Sequence, residues 1–167
     1  MTRAGHDVTL VDAWPEHVEY MRQNGIQLSG MTAAEKHSIP VRAIHISDVQ
    51  HFCKERPFDI AFICVKSYDT EWAVHLAKPY MAPDGFFVSL QNCINEERIA
   101  AIAGWGKTLG CIASLVAAEL YAPGHVKRTV PLGGKHHTVY RVGEVHGRIT
   151  PRAQLVAELL ATADSSK

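Results

Sequence analysis

The sequence predicts an α/β fold, a doubly wound and mostly parallel sheet. Three observations carry that expectation. Ile60 to Val65 is apolar at every position, the pattern of a strand covered on both faces. After it, Trp72, Leu76 and Tyr80 recur every four residues, with Ala73 and Ala77 alongside, behind Asp69 as a capping side chain. Pro83-Asp84-Gly85 then marks a turn before a second apolar run, Phe86 to Leu90. Strand, helix and strand make a βαβ unit, whose crossover is right-handed by rule.

Taken in order, Val8 to Val11 reads as a short strand ending at Asp12. Pro15 opens a helix, because its missing N–H would go unpaired there anyway. Val18 and Met21 give that helix an apolar side, and Gly25 closes it. Ile26–Leu28 and Val41–Ile46 are short strands with a polar loop expected between them. Asn95 caps a helix with Glu96 and Glu97 in its first turn and Ile99, Ile102 and Ala103 on its core side. Gly104 ends it, and Thr108–Ile112 is a strand. Ser114–Tyr121 and Val126–Val130 flank Pro123-Gly124 as a hairpin. Thr138–Val142 is a further strand. Thr150-Pro151 starts a last helix with Leu155, Val156, Leu159 and Leu160 as its apolar stripe.

Both strands of the βαβ unit end on one edge of the sheet, where open parallel sheets bind ligands. Lys66 and Asn92 stand just past those ends. Two readings are open for them: ligand-binding groups, or a solvated lysine and a turn former. Asp12 has two readings as well. A strand ending in an acid before a helix is the second half of a dinucleotide-binding βαβ unit, with the acid on the adenosine ribose. Otherwise Asp12 caps the helix at Pro15. An acid at that place repels a ribose phosphate, which argues for NADH. No G-x-G-x-x-G occurs in the chain, and Gly104-Trp105-Gly106 precedes a strand, so it is no substitute.

VKSYDT after one buried strand and SLQN-x-x-NEERI after the next resemble the ketopantoate reductase (2-dehydropantoate 2-reductase) family. AGHDVTLVD upstream and AAELYAPGHV and Gly143-Glu144 downstream extend the likeness over nearly the whole chain. Cys93 departs from the family, which has glycine after the QN pair. The resemblance implies a Rossmann-like fold that lacks its first strand and glycine-rich turn, the chain beginning inside the end of the family's first helix. Residues 1–167 would then be a partial dinucleotide-binding domain. The all-helical domain carrying the general-acid lysine would lie beyond Lys167.

The activity implied is NAD(P)H-dependent reduction of a 2-oxo acid, ketopantoate first. Lys66 would supply positive charge near the reacting groups, and Asn92 would orient substrate or nicotinamide. Asp12 would hold the ribose, and Glu144 would lie close to the cofactor pocket. NADPH is the cofactor the resemblance implies, against NADH from Asp12. A fragment of this kind is expected to reduce little by itself. A non-catalytic fragment, or a reductase of another 2-oxo acid or an imine, are the alternatives.

Composition bounds the partners. At 167 residues the length allows one sizeable core. Seventeen basic and seventeen acidic residues cancel, and no basic stripe interleaved with aromatics occurs, so no nucleic-acid partner is expected. No apolar run reaches membrane-spanning length, and MTRAGHD lacks the apolar core of a signal peptide. The cysteines at 53, 64, 93 and 111 form no C-x-x-C pair, which fits free thiols in a reducing cytoplasm. Cys64, inside the apolar run, is expected to pack. His136-His137 has no carboxylate at ligand spacing, so no metal site is expected. The expected partners are a small-molecule 2-oxo acid and, as an open possibility, a second copy of the chain.

Overall fold

The computed structural model describes every residue, Met1 to Lys167. Its elements in chain order begin with β1 (Thr9–Asp12), α1 (Pro15–Asn24), β2 (Ile26–Ser29), β3 (His37–Ile39) and β4 (Arg42–His45). Next come β5 (Phe58–Ile63), α2 (Thr70–Ala77), β6 (Met81–Ser89), α3 (Glu96–Ala103) and β7 (Thr108–Ala113). The last are β8 (Ala118–Ala122), β9 (His125–Arg128), β10 (Tyr140–Gly143) and α4 (Pro151–Ala161). The chain forms two compact units where its length allowed one core. One comprises Met1–Gln50 with Leu115–Gly133, the other His51–Ser114 with Gly134–Lys167. No helix is long and apolar enough to cross a membrane.

The first unit holds a parallel pair, β1 with β4, and a sheet of order β3-β2-β9-β8. Val18 and Met21 of α1 are buried against Ala43, with Leu10, Ile26 and Val41 around them. Pro123-Gly124 makes the expected hairpin between β8 and β9. Gly124 lies at φ 71°, and a Cβ there would meet the Tyr20 ring at 2.0 Å, so only glycine fits. The polar stretch between β2 and β4 is not a plain loop. Thr32 and Glu35 cap a short 3-10 turn reciprocally, and His37–Ile39 then pairs antiparallel with β2.

The second unit carries the predicted βαβ element. Its sheet has the order β10-β7-β6-β5, with β5, β6 and β7 parallel and β10 antiparallel. The pleat sends alternate residues to opposite faces. Phe86, Val88, Leu109 and Cys111 are buried with Ala153, Val156 and Leu160 of α4, and Ile60 and Phe62 pack on them. On the other face Phe87 and Ile63 are buried with Val74 of α2 and Ile99 of α3. Each fully buried side chain of this size contributes about 1.5–3 kcal/mol relative to exposure. This is the mixed α/β, helix-covered parallel architecture that the apolar runs predicted.

Details of the helices differ from their periodic patterns. The buried positions of α2 are Thr70 and Val74, while Trp72 is 47% exposed. Thr70 Oγ1 accepts a hydrogen bond described below, so its burial leaves the hydroxyl paired. On α4, Leu155 faces outward and Ala153 takes its place in the core. Pro83-Asp84-Gly85 lies within β6 as an irregularity of the β5–β6 register. Gly85 is needed there for close approach, since a Cβ would come within 2.8 Å of the Phe58 carbonyl oxygen. Cys64, one residue past the end of β5, leaves surface exposed, yet burial of its thiol pushes it up to about 11, as for a group turned toward buried Cys111. Cys111 is buried, and burial pushes its thiol up to about 12, as for an inert packing residue.

Candidate functional site

The rim past the carboxyl ends of β5 and β6 is built from two loops, residues 64–69 and 90–95. Leu90 N donates to the Ile63 carbonyl at 3.0 Å, which carries the β5–β6 pairing into the loops. Gln91 then crosses over: its Nε2 donates to the Val65 carbonyl at 2.7 Å and to Thr70 Oγ1 at 2.9 Å. Asn95 Nδ2 donates to the Asn92 carbonyl at 2.8 Å and to Ser67 Oγ at 3.2 Å. Ser67 Oγ in turn donates to the Asn92 carbonyl at 3.3 Å, and Arg98 Nη1 to the Ser67 carbonyl at 2.9 Å.

Lys66 and Asn92 sit in the middle of this lattice. Both are exposed, and neither side chain has a hydrogen-bond or ionic partner. The residues on either side of Lys66 are held by their carbonyls, and the Asn92 carbonyl accepts twice. An amine and a carboxamide are thus presented on neighbouring loops with fixed backbones and free heads. Cys93, next to Asn92, has a left-handed backbone at φ 69°, a region costly for residues with a Cβ. That is the position where the resembled family has glycine.

The sequence marked Lys66 and Asn92 but not the side chains that hold them. Asn95 looks like an ordinary helix cap, yet its side chain makes no cap bond to α3 and is 1% exposed. Asp69 likewise makes no side-chain cap bond to α2.

Glu144 lies elsewhere in the same unit. It follows Gly143, which pairs with Gly110 of β7, and β10 runs antiparallel to β7. By that register Glu144 lies level with Leu109 of β7 and Val88 of β6, one residue short of the carboxyl ends of β5 and β6. It lines a shallow cavity of about 200 Å³ with Trp105, Thr108, Val145 and His146. Its side chain is 2% exposed and accepts from Arg152 Nε, Arg152 Nη2 and Thr150 Oγ1, each at 2.6 Å. The Arg152 guanidinium holds the carboxyl below its ordinary range, against the opposing effect of burial. Its hydrogen-bond and ionic partners are Arg152, Thr150 and His146, not Lys66 or Asn92.

Asp12 belongs to the first unit, at the carboxyl end of β1. Its Oδ1 accepts from Trp14 N at 2.7 Å, one residue before the helix, so it braces the turn rather than capping α1. Across the pair stands His45, whose Nε2 donates to the Ala13 carbonyl at 3.1 Å. Ser47 N donates to His45 Nδ1 at 3.2 Å. Trp14 is 40% exposed and stacks on His17 with centroids 5.7 Å apart.

Residues 1–140 match the model of the family described as ketopantoate reductase PanE/ApbA. The chain belongs to that family. It is 34% identical over 163 residues to 2-dehydropantoate 2-reductase of Archaeoglobus fulgidus, covering 96% of this chain and 47% of the relative. The 2-dehydropantoate 2-reductase of Aquifex aeolicus is 34% identical over 134 residues, covering 78% and 38%. Among solved structures, the PanE/ApbA family ketopantoate reductase from Ralstonia eutropha superposes with a TM-score of 0.73 at 27% identity, covering 98% and 48%. The chain spans about half the length, or less, of these family relatives.

Proposed function

We propose that residues 1–167 form the nucleotide-binding part of an NAD(P)H-dependent reductase of a 2-oxo acid, with ketopantoate the first candidate. One observation carries the reading. Lys66 and Asn92 present unpartnered polar heads at the carboxyl ends of adjacent parallel strands, on loops hydrogen-bonded to each other. Family membership and the names of the relatives support it.

A reduced nicotinamide, when bound, supplies the hydride that reduces the ketone carbon. Lys66 contributes positive charge toward the substrate carboxylate or the developing alkoxide. The Asn92 carboxamide can donate and accept, which suits orienting a carbonyl or a nicotinamide amide. We assign the proton donor to a group outside these residues, as the resemblance implies. Asp12 keeps one carboxylate oxygen for ribose hydroxyls, since only Oδ1 is engaged. These residues supply no glycine-rich turn for the pyrophosphate. Binding is therefore expected to be weak and turnover by this chain low. Glu144, whose carboxylate is taken up by Arg152 and Thr150, we keep at the border of the cofactor pocket, as the resemblance implies.

Calorimetric titration with NADH and NADPH, each with and without ketopantoate, tests this. Saturable binding weakened about tenfold by Lys66→Ala and by Asn92→Ala is expected, the worth of one charge-assisted hydrogen bond. Absence of binding by either cofactor, or variants that bind like the parent, would overturn it. Turnover matching an ordinary dehydrogenase would overturn the assignment of the proton donor elsewhere.

A further inference from the structure

We propose that Asn95 and Gln91 are positioning residues that set Lys66 against Asn92. The proposal rests on the functional reading above. Asn95 occupies the position before α3, where an asparagine normally accepts from the helix backbone. Here it makes no such bond and is buried to 1%. Burying a carboxamide is costly unless its hydrogen bonds are made. Its Nδ2 makes two, one to Ser67 Oγ and one to the Asn92 carbonyl. The first reaches the residue after Lys66, the second the residue that bears the other polar head. One amide nitrogen therefore fixes the spacing of the two loops.

Gln91 acts on the same pair from the other side. Its Nε2 holds the carbonyl of Val65, the residue before Lys66, while its own backbone is the residue before Asn92. Its second bond, to Thr70 Oγ1, reaches the first turn of α2, and Thr70 is fully buried. Lys66 and Asn92 are thus bracketed by donors that belong to neither. A small shift of a positioned group is expensive in a binding or reacting site, so these amides should matter although they touch no ligand.

The test uses the whole chain and has two arms. In the unliganded chain, backbone amide resonances are compared between the parent and Asn95→Ala. The proposal expects Lys66 and Ser67 to shift together with Asn92 and Cys93. Shifts confined to residues 92–95, with Lys66 and Ser67 unchanged, would overturn it. Should Asn95→Ala fail to fold, Asn95→Ser and Gln91→Met carry the same comparison.

The second arm is a double-mutant cycle on affinity for whichever reduced cofactor the parent binds more tightly. Asn92→Ala and Asn95→Ala should each cost about tenfold, and the double variant should cost clearly less than their hundredfold product, the remainder being the effect of Asn95 on Lys66. Additive losses of about a hundredfold would mean that Asn95 acts independently of Asn92, against the proposal. If the parent binds neither cofactor, the functional reading fails, and the resonance comparison alone decides whether the amides position the loops.

Discussion

Arg152 clasps Glu144 with two nitrogens, Nε and Nη2, each 2.6 Å from a carboxylate oxygen. The same guanidinium donates to the Gly106 carbonyl through Nη1 and lies 5.5 Å from the centre of the Phe86 ring. It therefore ties the first turn of α4 to the start of β7 and to the core beneath. Thr150, which caps α4 by accepting from Ala153 N, also donates to Glu144. The carboxylate is the common acceptor for that whole corner.

Removing it should cost stability. Glu144→Ala leaves Arg152 without its carboxylate, and breaking a buried pair from one side costs about 3 kcal/mol. The pH dependence has a definite sign. The folded-state pKa of Glu144 is depressed, first by its hydrogen bond with Arg152. Its contribution is therefore complete above the ordinary glutamate range, about pH 4.3, and is lost as pH falls through the lower folded value. Urea midpoints for the parent should fall between neutral pH and about pH 3.5 by more than those of Glu144→Gln. Equal slopes for the two proteins would show that the pair does not couple to folding.

Cys93 supplies a second measurement. Its φ of 69° places a Cβ where left-handed backbone costs about 1–2 kcal/mol. Cys93→Gly should raise the thermal midpoint by about 2–4 °C, the shift about 1 kcal/mol gives in a chain of this size. The thiol is exposed, so no packing is lost to offset the gain. An unchanged or lowered midpoint would mean that the turn tolerates a side chain without strain.

The βαβ element was legible because fully apolar runs bounded by turn residues rarely occur outside buried strands. Lys66 and Asn92 were legible for the same reason, since topology alone puts them on the carboxyl edge. What failed to show was side-chain commitment. Asn95 and Asp69 stand at helix starts, where local rules make them caps, yet neither caps its helix. In Asn95 a tertiary hydrogen bond wins over the local one. Trp72 and Leu155 fit helical stripes but face outward, because the face a helix buries is set by its neighbours, and period alone does not distinguish adjacent stripes. Glu144 was placed by resemblance, and nothing in the spacing of the sequence reveals that an antiparallel β10 carries it against Arg152 at the start of α4.

Asp12 bears on cofactor choice. Its Oδ1 is fixed by Trp14 N, and His45, paired with it across the β1–β4 register, is engaged by the Ala13 carbonyl and Ser47 N. A 2′-phosphate at this end would meet the negative charge of the Asp12 carboxylate. Asp12→Ser keeps a short acceptor for Trp14 N and removes the negative charge. On the reading proposed above, it should shift the ratio of NADPH to NADH affinity toward NADPH by about tenfold, a little over 1 kcal/mol. Competition titrations with both cofactors measure that ratio directly, and a ratio equal to the parent's would remove Asp12 from the site.

The two edges of the β10-β7-β6-β5 sheet differ, and hydrogen exchange should register it. The β10 edge is covered by the end of the chain: Tyr140 N donates to the Ser165 carbonyl, Lys167 N to the Tyr140 carbonyl and Val142 N to the Lys167 carbonyl. The β5 edge has no partner strand in its sheet. Because Leu90 N donates to the Ile63 carbonyl, Ile63 faces β6, and alternation puts Ala61 on the same side. The N–H and carbonyl groups of Ile60 and Phe62 then point away from β6. Their side chains are nevertheless packed in the core, so the strand has the composition of a sheet interior and the pairing of a border. Ile60 and Phe62 amides should exchange much faster than those of Ala61 and Ile63, although the four residues are consecutive. Uniform protection along β5 would show that something pairs with this edge in solution, and an accompanying rise in mass by ultracentrifugation would identify it as another copy of the chain.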